Sequence, residues 1–462
     1  MDLSSLRAQA QQFVQQHQQE VIDDISRLVA VKSVRGEAGP HAPFGPGPRR
    51  ALDAALAMAG EMGLQCADYD YLGKASVPGS GEKTIGIVAH LDVVPEGGGW
   101  NSDPYTLTQK EGWLIGRGVV DDKGPAVLAL WAARFFAQQP QRPRHGIEVL
   151  LGCDEECGMS DLKRYLSEHR APDFAFTPDG AFPVCNGEKG GFTGEFVSAP
   201  LHGVLLDFSG GFAHNVVPDH ADALVRLDAA GLPAAEGITI SPCSEGARIE
   251  ATGIAAHAST PEGSRSAIGM IASYLLALPE VTGVERNALE LVYDLAVSHD
   301  GEKLGIASCD GIFTPLTIIG GEIWMKDGIL TQNLDCRYPT SITGEEIAAK
   351  LAQRAEKAGM RLEHSSFNPP FYIQPDSPAI LALRTTYRTL TGKDDTPFTM
   401  GGGTYARCMP NAVSFGIEEE KMTYPAFAGP IHAANEGFPI EKLMEALVIF
   451  ICALGELMEV DL

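Results

Sequence analysis

Asp154, Glu155 and Glu156 stand in a row within GCDEECG, directly after the apolar run IEVLL. Acids at the mouth of an apolar run serve as turn formers, as metal ligands or as proton carriers. Four other stretches show the same pattern. TIGIVA ends in His90-Leu91-Asp92, DFAFTP ends in Asp179, and AVSFGI leads into a loop that reaches His432 in GPIHAANE; GRGVVDDKGP carries Asp121 and Asp122 just ahead of a helical stretch. Any one of these alone reads as a turn, a helix cap or a polar surface residue. Five at successive strand ends fit a ligand crevice, because ligands of open α/β sheets collect beyond the carboxyl ends of the strands. Imidazole and carboxylate together suit zinc, manganese or cobalt, and three carboxylates with two histidines exceed the needs of one cation. Two cations sharing one carboxylate is the economical arrangement, since so many converging acids would otherwise repel one another and raise their own pKa values. A thiolate zinc site at Cys153-x3-Cys157 would need a second pair nearby and has none, so these cysteines read as small buried hydrophobes.

The elements that must position these groups follow from periodicity. Val14, Val21, Ile22, Ile25, Leu28 and Val29 recur at helical spacing, and a second helix spans about residues 50–62. TIGIVAH reads as a strand, PAVLALWAARFFAQQ as a helix, IEVLLGC as a buried strand, MSDLKRYLSEH as a helix and DFAFTPDG as a short strand. That alternation predicts a mainly parallel sheet with helices on both faces. From about 190 the character changes to alternating strands (FTGEFVSA, HADALVRL, ARIEATGIAA) and an amphipathic helix, GSRSAIGMIASYLLAL, which predicts an inserted α+β domain. Near 378 the α/β style returns with SPAILALRTTYRTLTG, AVSFGI and KLMEALVIFICALGELM. The expected division is a catalytic domain over 1–190 and 381–462, interrupted by an insertion over 191–380.

Composition narrows the partners. Sixty acids against 35 bases leave a formal charge of -25, which disfavours nucleic acid and anionic membrane, since both call for a basic face. The start of the chain lacks a basic stretch followed by an apolar one, and the nine cysteines are mostly scattered, so a cytoplasmic protein with reduced thiols is expected.

The set AHLDVVP, GRGVVDDKGP, GCDEECG, TPDGAF and PIHAANE, in this order and spacing, resembles the M20 family of metallopeptidases. Within it the chain is similar to the PepV-like (Sapep, or Xaa-His, carnosinase-like) dipeptidases, and the likeness runs nearly end to end through HNVVPDH, AAHASTPEGSRSA, LDCRYPTS and GGGTYAR. The resemblance implies two divalent cations, zinc foremost, with manganese or cobalt as alternatives. It makes Asp121 the bridging carboxylate, His90 and Asp179 the partners at one cation, and Glu156 and His432 those at the other. The doublet leaves Asp121 and Asp122 both open as the bridge; Asp121 matches the acid preceding x-Lys-Gly, after which the family often has a cis peptide. Asp92 is expected to receive the second ring proton of His90, and Glu155 to be the general base, the free carboxylate that moves a proton while its neighbour holds a cation. His257 is implied at the oxyanion, Arg337 and Asn215 at the substrate carboxylate, with the backbone amides of Gly401, Gly402 and Gly403 as further candidates there. The insertion is then a lid over a dipeptide substrate, large enough to favour a monomer. An N-acyl-amino-acid deacylase and a catalytically inactive peptide-binding protein on the same scaffold are the competing readings.

Overall fold

The structure, a computed structural model, describes residues 2–419 and 422–462. Its contacts divide the chain into two compact units. The first takes the chain up to Gly187 with Tyr372–Phe398 and Gly403–Leu462; the second is Glu188–Phe371 with Thr399–Gly402. The sequence reading set these boundaries at 190 and 380. The helix Pro378–Thr391 lies wholly in the first unit, and the glycine loop supplies a short separate piece to the second.

The centre of the first unit is four neighbouring parallel strands in the order Gly146–Gly152, Thr84–His90, Phe174–Thr177 and Ala412–Ser414. Their apolar runs are buried nearly throughout, as strands covered on both faces must be. The parallel character stops at the margins. The hairpin of Gln65–Asp68 and Gly73–Val77 adds antiparallel strands on one side, and Cys185–Glu188 joins antiparallel on the other. Because the four central strands run the same way, all four deliver their carboxyl ends to one edge of the sheet.

Helices close the unit. Leu3–Val29 buries Leu6, Phe13, Val14, Val21, Ile22, Ile25 and Leu28 along one stripe, as its spacing predicts. It packs with Lys123–Ala137 and with Ile440–Leu457, which is apolar over most of its circumference because other helices pack around it. Among the described residues no helix is long and apolar enough to cross a membrane.

The second unit is built on an antiparallel sheet with two large cores and a small third cluster of Val217, Ala258 and Ile319 among the described residues. One core gathers Phe208, Ile249, Ile268, Ile271 and Leu275 under the helix Ala267–Leu276; the other gathers Phe192, Phe196, Ile347 and Leu351 under Gly344–Lys357. Between the strands Leu205–Gly210 and Ile323–Lys326 the ladder is reduced to the single pair Gly210↔Ile323.

Candidate metal centre

The four parallel strands present their chemistry in space as they do in sequence. His90 is the last residue of its strand, Asp154–Glu156 follow Gly152, Asp179 lies two residues past Thr177, and Asp121 precedes the helix that starts at Lys123. Asp121 sits between the two histidines. Its Oδ1 is 2.8 Å from His90 Nε2 and its Oδ2 is 2.8 Å from His432 Nε2. Asp179 Oδ2 is 3.9 Å from His90 Nε2, and Glu156 Oε1 is 3.4 Å from His432 Nε2. Candidate ligand atoms of His90, Asp121 and Glu156 lie within 4.8 Å of one another, as do those of His90, Glu155 and Asp179. The doublet separates by contact: Asp122 turns away from the histidine rings and accepts the backbone N–H of His90 at 3.1 Å, and the peptide between the two acids is cis.

The electrostatics are those of a site that needs positive charge. Burial is the largest influence on Glu155, Glu156 and Asp179, and with the charge of neighbouring acids, Asp121 foremost for Glu156 and Asp179, it pushes all three carboxyls upward. Burial would also raise Asp121, but hydrogen bonds from His432 and His90 outweigh it and hold this carboxyl well below the usual range. His432 shows the other side of the balance: burial lowers its pKa, yet Asp121 and Glu156 lift it to about 11. Glu155 Oε1 is buried and has no hydrogen-bond partner, and the buried Glu156 Oε1 has the His432 ring nitrogen 3.4 Å away. Buried carboxylate oxygens short of donors, converging with imidazole nitrogens, fit divalent cations and fit little else.

The acidic turn is held from outside. Glu155–Cys157 form one short helical turn with no side-chain cap from Asp154, which would strand the amides at its start. Asp92 supplies the acceptors: its two carboxylate oxygens take the N–H groups of Glu155 and Glu156, each at 3.2 Å. This adds to the role expected for Asp92, whose carboxylate also lies 3.5 Å from His90 Nδ1. The nearest acceptor to that nitrogen is the Asp92 backbone carbonyl at 3.0 Å. Asp154 is a support residue, buried against Arg35 and accepting from Ser160 N at 3.1 Å. Cys153 is buried as expected, but Cys157 is exposed, because the turn carries it outward past the buried acids.

Sequence reasoning missed three supports. Asp161 Oδ2 accepts from Cys153 N at 2.5 Å, Asp154 N at 3.0 Å and the Tyr405 hydroxyl at 2.5 Å, fixing the residues just before the acids. A side chain at Gly152 would collide with Tyr405 and Asp161, which is why the strand ends in glycine. Glu436, fully buried, takes the backbone N–H of Asp121 at 3.2 Å. It lies inside the PIHAANE motif, four residues after His432, which was the available signal.

Of the remaining expected residues, all but Gly403 are in the inserted unit. His257 Nδ1 is 2.8 Å from Ser259 Oγ, and His257 pairs with Val216, next to Asn215, whose carbonyl takes the amide of Ala258 at 2.9 Å. A Cβ on Gly401 would come within 2.8 Å of Ser259, so that loop approaches the His257 segment closely; Gly402 has open space around it. At Gly403, in the first unit, a Cβ would press on the Arg407 guanidinium. Arg337 differs from expectation. Its Nε and Nη2 donate to both oxygens of buried Asp335 at 2.7 and 2.8 Å, so the fork expected to clamp a substrate carboxylate is occupied by an internal one.

Comparisons with known proteins bear on the chain as a whole. A family model described as peptidase family M20/M25/M40 matches residues 86–456. A Staphylococcus haemolyticus protein provisionally named a dipeptidase is 30% identical over 482 aligned residues, covering 96% of this chain and 98% of its own. A similarly named Staphylococcus aureus protein is 30% identical over 480, with the same coverage. Among solved structures, human carnosine dipeptidase 1 has a TM-score of 0.60 at 16% identity, covering 98% of this chain and 100% of its own. The dipeptidase Dug1p of Saccharomyces cerevisiae has 0.61 at 12%, covering both chains fully. These two share the fold. With the family model spanning most of the chain and the relatives aligned nearly end to end, the chain belongs to peptidase family M20/M25/M40.

Proposed function

We propose that the protein is a dipeptidase that uses two divalent cations, zinc foremost and manganese or cobalt as alternatives, to hydrolyse unblocked dipeptides, β-alanyl and histidine-containing ones among them. The observation that carries the reading is Asp121, with one oxygen on each of two histidines and a further acid beside each. In this reading His90 and Asp179 hold one cation, Glu156 and His432 the other, and Asp121 belongs to both. Bound there, the cations would acidify a water and polarise the scissile carbonyl.

The chain's own residues do the rest. Glu155 takes the proton from the attacking water and returns it to the leaving amine nitrogen. Burial and the neighbouring acids push its carboxyl upward, which favours its holding a proton once it has taken one. Asp92 keeps Glu155 and Glu156 on separate tasks by fixing both of their amides. His257 donates to the developing oxyanion, and Arg337, Asn215 and the glycine loop hold the substrate carboxylate; these roles come from the family resemblance. Arg337 would exchange Asp335 for the substrate or share its fork between them. Relatives named as dipeptidases support the substrate class, and a monomer acting in the cytoplasm completes the reading.

The test is a substrate panel on chelated protein resupplied with zinc, manganese or cobalt: free dipeptides, carnosine, a tripeptide and N-acetyl amino acids, with Glu155→Ala as control. Metal-dependent cleavage of free dipeptides, lost in the control, is the expected result. A preference for N-acetyl amino acids would make the enzyme a deacylase with the same centre, and no cleavage of any member would leave a binding protein.

A further inference from the structure

The ligands at the centre are mounted in two ways. His90 ends a strand of the main sheet and Asp179 follows one closely, so their positions are set by the ladder. Asp121 and His432 sit in turns, 311 positions apart in the chain. His432 has φ 62° in a segment outside the main sheet, and half of its side chain is exposed. Two turn-borne groups that must meet to within hydrogen-bond distance require something to lock one turn to the other.

Glu436 and Arg117 have that geometry. Glu436 Oε1 accepts three consecutive-turn amides, from Gly118 at 3.1 Å, Val120 at 3.0 Å and Asp121 at 3.2 Å. Its Oε2 accepts from Arg117 Nη1 at 2.6 Å, and Arg117 Nη2 reaches the backbone carbonyl of His432 at 3.3 Å. The Glu436 carbonyl takes Gly116 N at 2.9 Å, and the next residue, Gly437, pairs with Ile115. Both side chains are buried, at 0% and 1% exposure. Amides converging on one point form an anion-binding concavity, here filled by the chain's own carboxylate. Packing alone does not ask for an ion pair at this position: apolar residues of the same volume commonly do as well or better. What the pair does that they could not is tie the Asp121 amide and the His432 carbonyl to one rigid unit.

We infer that Glu436, through its pair with Arg117, is the positioning residue that holds Asp121 and His432 in register for the cation they share with Glu156. The inference rests on the two-cation reading. Glu436 touches neither ligand side chain and acts through their backbones, as groups behind metal ligands do; loss of such partners typically weakens metal affinity about 10- to 100-fold.

The test titrates metal-free wild type, Glu436→Gln and Arg117→Lys with zinc against a competing chelator, and with cobalt while recording its absorption spectrum. Wild type takes two cations. In Glu436→Gln the second cation is held about 10- to 100-fold more weakly, the first, which also uses Asp121, is weakened by less, and the cobalt spectrum is altered at the second equivalent. Activity of the variant recovers at high metal with KM unchanged. Arg117→Lys shifts the second cation in the same direction by less. Second-site affinity equal to wild type in a variant that melts as a folded protein overturns the inference. Should Glu436→Gln fail to fold, Arg117→Lys decides by the same criterion. Wild type that takes up fewer than two cations overturns the two-cation reading itself, and this inference with it.

Discussion

The two units treat their charged groups in opposite ways. In the first, the acids are buried and anchored through backbone: Asp92 holds the amides of Glu155 and Glu156, Asp161 those of Cys153 and Asp154, and Glu436 that of Asp121. The buried oxygens without a hydrogen-bond partner include Glu155 Oε1, in the middle of the centre. In the inserted unit the candidate groups are partly exposed and already have side-chain partners, His257 with Ser259 and Arg337 with Asp335. On the proposed reading, the difference follows from what each group would have to do. Cation ligands have to be desolvated and aimed before the cation arrives, so folding bears that cost. Groups proposed to read a transient substrate would keep partners they can exchange.

If the first unit is a preformed cation centre, chelation should have the largest effect of all, reducing hydrolysis to background, with recovery on adding back the cation. Activity that survives exhaustive chelation would break the comparison at its root. Next in size is Glu155→Gln, which keeps the shape of the turn and removes the base. Its kcat should fall by roughly 10²- to 10⁴-fold while two cations remain bound, measured as metal content alongside turnover. A parallel loss of metal would move Glu155 from base to ligand, as its place within 4.8 Å of His90 and Asp179 would then require. Smaller again is Arg337→Met, which should raise KM by about 10- to 100-fold with little change in kcat. An unchanged KM would mean that Arg337 serves Asp335 alone.

The same contrast governs what the sequence made legible. Strand ends announce themselves, because an apolar run must stop before a polar group begins, and so the stretches that carry His90, Asp121, Glu156, Asp179 and His432 could be gathered before any coordinates, while the choice among neighbouring acids came from the family resemblance. The parallel centre of the sheet followed from the same alternation, whereas its antiparallel margins, built from Gln65–Asp68 and Gly73–Val77, carry little periodic signal in strands of four and five residues. Supports that act through backbone were hidden. Spacing does not reveal that the Asp92 carboxylate faces two amides 63 and 64 positions later, or that Tyr405 meets Asp161 across 244 positions. Asp335 could have been found: it stands two residues before Arg337 on the strand Ile329–Tyr338, and side chains two apart share a face.

The smallest expected effect tests whether the anchoring of the acidic turn is costly to the fold, and its sign can be worked out. Burial raises Asp161 from its ordinary 3.8 to about 6, against the Tyr405 hydroxyl and the Cys153 and Leu162 amides, which favour the charged form. Between those two values the folded chain holds a proton that the unfolded chain has released. The stability that this residue contributes is therefore greatest below about pH 4, declines as pH rises to about 6, and is flat beyond. Asp161→Asn cannot titrate, so the stability gap between wild type and variant should shift against wild type by about 1–3 kcal/mol between pH 4 and pH 7. Urea melts of the metal-free proteins measure it, and metal-free protein keeps cation release out of the comparison. A gap that stays constant across the range would mean that the three donors on Asp161 Oδ2 offset its burial, leaving the turn anchored at no cost that depends on pH.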